Sequence, residues 1–221
     1  MSNNTTTHQG VKYSAQAHFY NIRDGIDVTQ CRRSSYIISE NHIGSTLDSN
    51  HDALVVMMNP GSSKPLDANH IIKEYTPETI CNLHLDEELC PAKIDATMHS
   101  IKRLMHLQNW CKVKIINLSD YRTPQSNDFC DFLEMNERIP HYITHSKREH
   151  ELTNEIKLSA SKTIIFAWGV DNKFDAYTAG FLKLFKRGIG VTNTYGRFIH
   201  PMGTRPPQLW VTRMNELLSN Q

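Results

Sequence analysis

The chain has 221 residues, with Lys+Arg 24 against Asp+Glu 23 and a formal net charge of +1. That length fits one domain with a sizeable core, and the near-neutral charge excludes the broad basic field of histones or polybasic arms, though not a local basic groove. The five cysteines (Cys31, Cys81, Cys90, Cys111, Cys130) contain no CxxC pair, which suits reduced intracellular thiols better than a disulfide framework or a zinc ribbon. No signal-peptide pattern or bilayer-length apolar run is present, so the expectation is a soluble, cytoplasmic protein without a membrane partner.

Residues 1–10 are polar, rich in Thr and Asn, and are expected to be disordered; residues 11–221 are expected to form a single domain. Two mixed runs, around Phe19-Tyr20 and Tyr36-Ile37-Ile38, flank polar turn material and read as a hairpin or strand pair, followed by a loop over 41–52. The run Leu54-Val55-Val56-Met57-Met58 then reads as a buried strand entering the turn Asn59-Pro60-Gly61-Ser62-Ser63. Pro60 biases Asn59 toward an extended conformation, and Gly61 permits a sharp turn or a close approach to a ligand.

A long polar stretch over 64–93 reads as a functional loop, with a short helix from Pro77 to about Leu89. Asp95 reads as the N-cap of a helix whose apolar side holds Met98, Ile101, Leu104, Met105 and Leu107. A second strand, Val113-Lys114-Ile115-Ile116, ends in Asn117-Leu118, and a polar helix runs from about Ser146 to Leu158. A third strand, Thr163 to Ala167, ends in Trp168-Gly169. Asp171 caps the next helix, which Gly188 stops. A fourth strand over 190–193 leads to Phe198-Ile199-His200-Pro201, and a final helix presents Leu209, Trp210, Met214, Leu217 and Leu218. Strands alternating with helices predict a three-layer α/β/α domain around a central, mainly parallel four-stranded sheet.

In a parallel sheet the carboxyl ends of the strands share one edge, where such proteins hold ligands. Asn59, Asn117, Trp168-Gly169 and His200 would therefore gather there. The chain has neither a GxGxxG nor a GxxxxGK[ST] phosphate loop, and no GxSxG elbow. Two amides and an imidazole suit a polar, uncharged heterocycle.

In the order of these motifs the chain resembles the uracil-DNA glycosylase superfamily. Asn59-Pro60-Gly61, Asn117-Leu118, Trp168-Gly169 and His200-Pro201 match its series over about residues 54–210, in the Asn-Pro-Gly form of the mismatch-specific and single-strand-selective branches. The resemblance implies a uracil-DNA-glycosylase-like fold and a monofunctional glycosylase that hydrolyses the N-glycosidic bond of a base flipped out of single- or double-stranded DNA. It implies that Asn59 positions the attacking water, His200 stabilises the departing base and Asn117 reads its edge. It also implies that Ser62, Ser63 and Lys64 grip the backbone, and that Arg205, in the loop Met202 to Pro207, inserts into the duplex or contacts phosphate. Where the uracil-specific branch has a Tyr, this chain has Gly61, which leaves room for a group at the pyrimidine 5-position. Thymine, hydroxymethylated or glucosylated cytosine, or uracil are then the candidate bases, in repair or in defence against phage.

The same residues have plainer readings. Asn59 suits an ordinary turn, Asn117 a strand-end cap, and Trp168 the core. Tyr121-Arg122 could reach the site or form a surface pair. Lys183, Lys186, Arg187 and Arg197 could face DNA or simply solvate a helix end. His141, His145 and His150 lack a carboxylate or Cys to complete a metal set, so neither metal nor cofactor is expected. The chain is read as a monomer whose partner is DNA. The alternative is a non-catalytic nucleotide- or nucleic-acid-binding module on the same fold.

Overall fold

The structure is a computed structural model that describes residues 6–8, 10–40, 51–80, 89–135, 139–185 and 187–220. Its centre is the parallel trio formed by β7 (Lys112–Asn117), β4 (Ala53–Met57) and β8 (Thr163–Ala167), in that order across the sheet. All five residues of β4 are buried, as an apolar run sandwiched on both faces requires. Helices α1 (Ala96–Leu107) and α5 (Gln208–Ser219) pack Met98, Ile101, Leu104, Trp210 and Met214 against Val55, Val113, Ile115 and Ile165. On the other face, Leu152 of α3 (Glu149–Ser159) and Phe181 of α4 (Asp175–Leu184) meet Leu54, Val56, Ile116 and Phe166. Alternating side chains of each central strand thus feed two cores, with helices on both faces.

The sheet is larger and more mixed than the expected four strands. Among the described residues it has eight strands, because β2 (Val11–Asp24) and β3 (Asp27–Ser39) form a long antiparallel hairpin that joins the trio where β3 pairs antiparallel with β7. Three short strands edge the hairpin: β1 (Thr6–His8), β5 (Lys73–Tyr75) and β6 (Cys90–Pro91), all on β2. Thr6–His8, expected to be disordered, is therefore a paired edge strand. The 64–93 stretch contributes β5 and β6; of its expected helix, 77–79 form a turn and 81–88 lie outside the described residues. A helix not anticipated in the sequence, α2 (Ser126–Met135), packs Phe129 and Leu133 against Phe174.

The expected fourth parallel strand is replaced by one bridge and a tight return. Ile189 bonds β8 on both sides, accepting from Phe166 N at 2.7 Å and donating to Ile164 O at 2.9 Å. Two residues later Val191 O accepts from Ile199 N at 2.7 Å instead, and the chain doubles back through Asn193–Gly196. The segment leaves the sheet because its next hydrogen bonds are made within its own turn.

Topology locates the site. The connection from β4 to β7 runs through α1 on one face, whereas that from β7 to β8 runs through α2 and α3 and crosses to the far side of β4. The chain therefore reverses direction across the sheet at β4, and the crevice outside the carboxyl end of such a strand is where open α/β sheets bind ligands. Among the described residues, no helix is long and apolar enough to cross a membrane.

Candidate functional site

A cavity of about 520 Å³ opens at this switch point. Asn59, Gly61 and Ser62 line it from the turn after β4, Trp168 and Gly169 from the end of β8, and His200 from the final loop. Residues from every strand end but that of Asn117 thus reach one cavity.

Asn59 is set by the loop that follows β7. The β4–β7 ladder continues past the strands, with Leu118 N donating to Met57 O at 2.8 Å and Ser119 N to Met58 O at 3.1 Å. The next residues then present their carbonyls to Asn59, whose Nδ2 donates to Thr123 O at 2.7 Å and Tyr121 O at 3.3 Å. With the amino group so committed, Oδ1 is the atom left to accept a proton from a ligand or a water. Gly61 has φ +60, a left-handed conformation that a side chain would strain, and an added Cβ there would meet nothing within 4 Å. The turn geometry calls for glycine, and the space beside it is open.

His200 is fixed from three directions. Ile199 N bonds Val191 O, Phe198 O accepts from Gly169 N at 3.0 Å, and the Trp210 indole donates to Ile199 O at 2.9 Å. Its Nδ1 accepts from Met202 N at 3.2 Å, so the neutral ring carries its proton on Nε2. Burial pushes the imidazole down to about 4, with Asp95 pulling weakly the other way. His200 is therefore a neutral N–H donor at physiological pH.

Asn117 ends β7 in register with Met57, on the face that carries Ile115. Its side chain is fully buried, and neither its Oδ1 nor its Nδ2 has a hydrogen-bond partner among the described residues. It does not line the cavity, although Met57 and Ile115 do, so it lies behind the lining rather than in it. Ser63 is likewise buried, with its hydroxyl unpartnered, because its N–H closes the turn onto Pro60 O at 3.2 Å. It faces inward, where a backbone grip was expected. Lys64 and Arg205 are exposed outside the lining; Met202 and Gly203 are the members of the final loop that line the cavity. Trp168, read as core, is both core and wall.

Of the other basic residues, Arg197 pairs with Asp175 at 2.8 Å, and Lys186 lies outside the described residues. Arg122 sits 5.2 Å over the Phe19 ring and reaches Gln30, away from the lining. His141 bonds Ser119 Oγ at 2.8 Å. Among the described residues no cluster of His, Cys, Asp or Glu could hold a metal ion.

Five polar lining residues were not foreseen in the site: Arg32, Asp95, Thr97, Thr123 and Asp171. Asp95, expected only as a cap, does cap α1, its Oδ1 accepting from Met98 N at 2.9 Å, and it also lines the cavity. Arg32, within what read as turn material, is buried in β3 and lines the cavity too. The cause is a bulge: Ala17 faces Ser35 but Phe19 faces Arg32, so Arg33 and Ser34 oppose one residue of β2. Bulges re-aim side chains next to functional sites. Here Arg32 reaches the cavity while Arg33 bonds Glu151 of α3 on the opposite face. Comparison of the chain with protein-family models, with curated proteins and with solved structures gives no match.

Proposed function

We propose that this protein is a monofunctional DNA glycosylase of the uracil-DNA glycosylase type, acting on a flipped pyrimidine. The observation that carries the reading is the pairing of two complementary groups in one cavity at the switch point. Asn59 offers a fixed acceptor, and His200 offers a fixed neutral donor.

In the reaction the C1′–N1 bond breaks and its electron pair leaves with the base. The His200 N–H donates to the oxygen on which that charge collects, a preorganised stabilisation whose loss typically costs about 100- to 1000-fold in rate. Water held by Asn59 Oδ1 bonds to C1′ and gives its proton to solvent. An amide is a poor base, so leaving-group stabilisation dominates over general-base catalysis. Trp168 and Phe174 supply apolar walls for a base taken out of its stack. Met202, 40% exposed, is the apolar side chain at the rim, in the place first given to Arg205. The open space at Gly61 supports a pyrimidine with a substituent at the 5-position.

The test is to incubate the protein with single- and double-stranded DNA carrying uracil, mispaired thymine, or hydroxymethylated or glucosylated cytosine, and to identify the free base released. Release of a 5-substituted pyrimidine is the expected result. Excision of uracil alone would overturn the reading of Gly61. Binding of DNA or nucleotide without release of any base would favour the non-catalytic module, a reading that the placement of Asn117 behind the lining also suits.

A further inference from the structure

Arg32 is 2% exposed, yet among the described residues its guanidinium has no ion pair and no hydrogen bond, and its Nε is buried without a partner. Taking a guanidinium out of water costs several kcal/mol unless a partner compensates. The other buried arginines among the described residues have each found one: Arg33 bonds Glu151, and Arg148 lies 3.0 Å from Asp120. The Arg32 backbone is anchored, its N–H donating to Asp120 O at 2.9 Å, so the side chain is held at the cavity by the sheet itself.

Its surroundings do not neutralise it. Burial lowers its pKa to about 10, with Asp95 and Asp120 attracting and Arg122 repelling, so it remains cationic at neutral pH. Asp120 spends Oδ2 on Tyr20 and Arg148, and its buried Oδ1 makes no hydrogen bond to Arg32 or to any other described residue. Asp95 has one oxygen on the helix cap. A guanidinium has only donors, so whatever completes it must present an acceptor, and an anion satisfies it best.

We propose that Arg32 is a ligand-binding residue of this cavity and that it holds the pyrimidine base as its anion. The inference rests on the glycosylase reading for the identity of the base. It assigns the charge of the departing base to a fixed cation, while the neutral His200 supplies a single hydrogen bond. Both groups are in place before the bond breaks, so no reorganisation is needed as charge develops.

The test uses free bases, so it does not depend on cleavage. Binding of 5-nitrouracil, an acidic base that ionises near neutral pH, and of thymine, which stays neutral there, is measured by titration calorimetry at pH 7. The absorbance of bound 5-nitrouracil reports its ionisation. The expected result is binding of the ionised base about tenfold or more tighter than thymine, as for a hydrogen bond to a charged group. Arg32→Met, which matches the apolar part of the side chain, should erase that preference and keep thymine binding. Its thermal midpoint should equal or exceed that of the parent, because an unpaired buried charge has gone; a structural arginine would lower it.

A preference that survives in Arg32→Met, equal affinity of the parent for the two bases, or failure of the parent to bind either would overturn the inference. So would an equal loss of both bases in a folded variant. If the binding preference and its loss are found but no DNA base is ever released, the inference stands and the catalytic reading falls.

Discussion

Two regions of this protein bury charged and polar side chains, and they do so in opposite ways. Behind the loop after β7, Tyr20, Arg33, Asp120, Arg148 and Glu151 form a network in which each charge has an opposite charge at 4.0 Å or less. At the cavity, Arg32 and the outward atoms of Asn59 and His200 have no such closure among the described residues, nor has Asn117 behind its lining. The network pairs its charges without a ligand, although Asp120 Oδ1 is buried and makes no hydrogen bond among the described residues, and it holds the loop whose carbonyls orient Asn59. The cavity groups are held just as firmly by the backbone but point their bonding capacity at something outside the chain.

This contrast can be broken by substitution. The largest effect is expected in the network: Arg148→Met removes the close partner of Asp120, leaving it Arg33 at 4.0 Å, and should cost about 3–5 kcal/mol in denaturant unfolding. Next, His200→Ala should lower base release about 100- to 1000-fold while leaving the unfolding midpoint nearly unchanged. Asn117→Leu should move stability the other way. It removes two unsatisfied buried atoms and should raise stability by about 1–3 kcal/mol in the same unfolding measurement. Loss of stability in that variant would mean that the amide serves the fold.

A further effect is a pH dependence. The His200 pKa is depressed in the folded state, from the ordinary 6.5 to about 4, so between those values the unfolded chain binds a proton that the folded chain does not. Its contribution to stability is therefore full above pH 6.5 and is lost as pH falls toward 4. Unfolding of the parent and His200→Ala, compared across that window, should show a slope present only in the parent. The subtraction matters because burial also lowers His8, His99 and His145.

The same contrast explains what was legible in the sequence. The strands ending at Asn59, Asn117 and Trp168 announced themselves as apolar runs stopped by turn residues, and Asp95 as a cap, because burial on two faces and helix capping leave local marks. The wall formed by Arg32 left none. Cys31-Arg32-Arg33-Ser34-Ser35 is polar and resembles a turn, yet it lies buried in β3, because its partners come from distant α3, the 120 loop and the cavity. Which arginine faces which side depends on a bulge that only strand pairing reveals. The hairpin itself was legible, but its junction with the central sheet and the missing fourth strand were not, because they depend on hydrogen bonds between segments far apart or within a turn. Gly61 was legible as a place of room, but not as a φ +60 position that needs glycine in any case.

The most direct test of the account is single-turnover formation of alkali-labile abasic sites in DNA carrying the preferred base, comparing the parent with His200→Ala and Asn59→Ala. The expected result is abasic sites from the parent and a severe loss in both variants, each folded by circular dichroism. Undiminished abasic-site formation in both variants would contradict it.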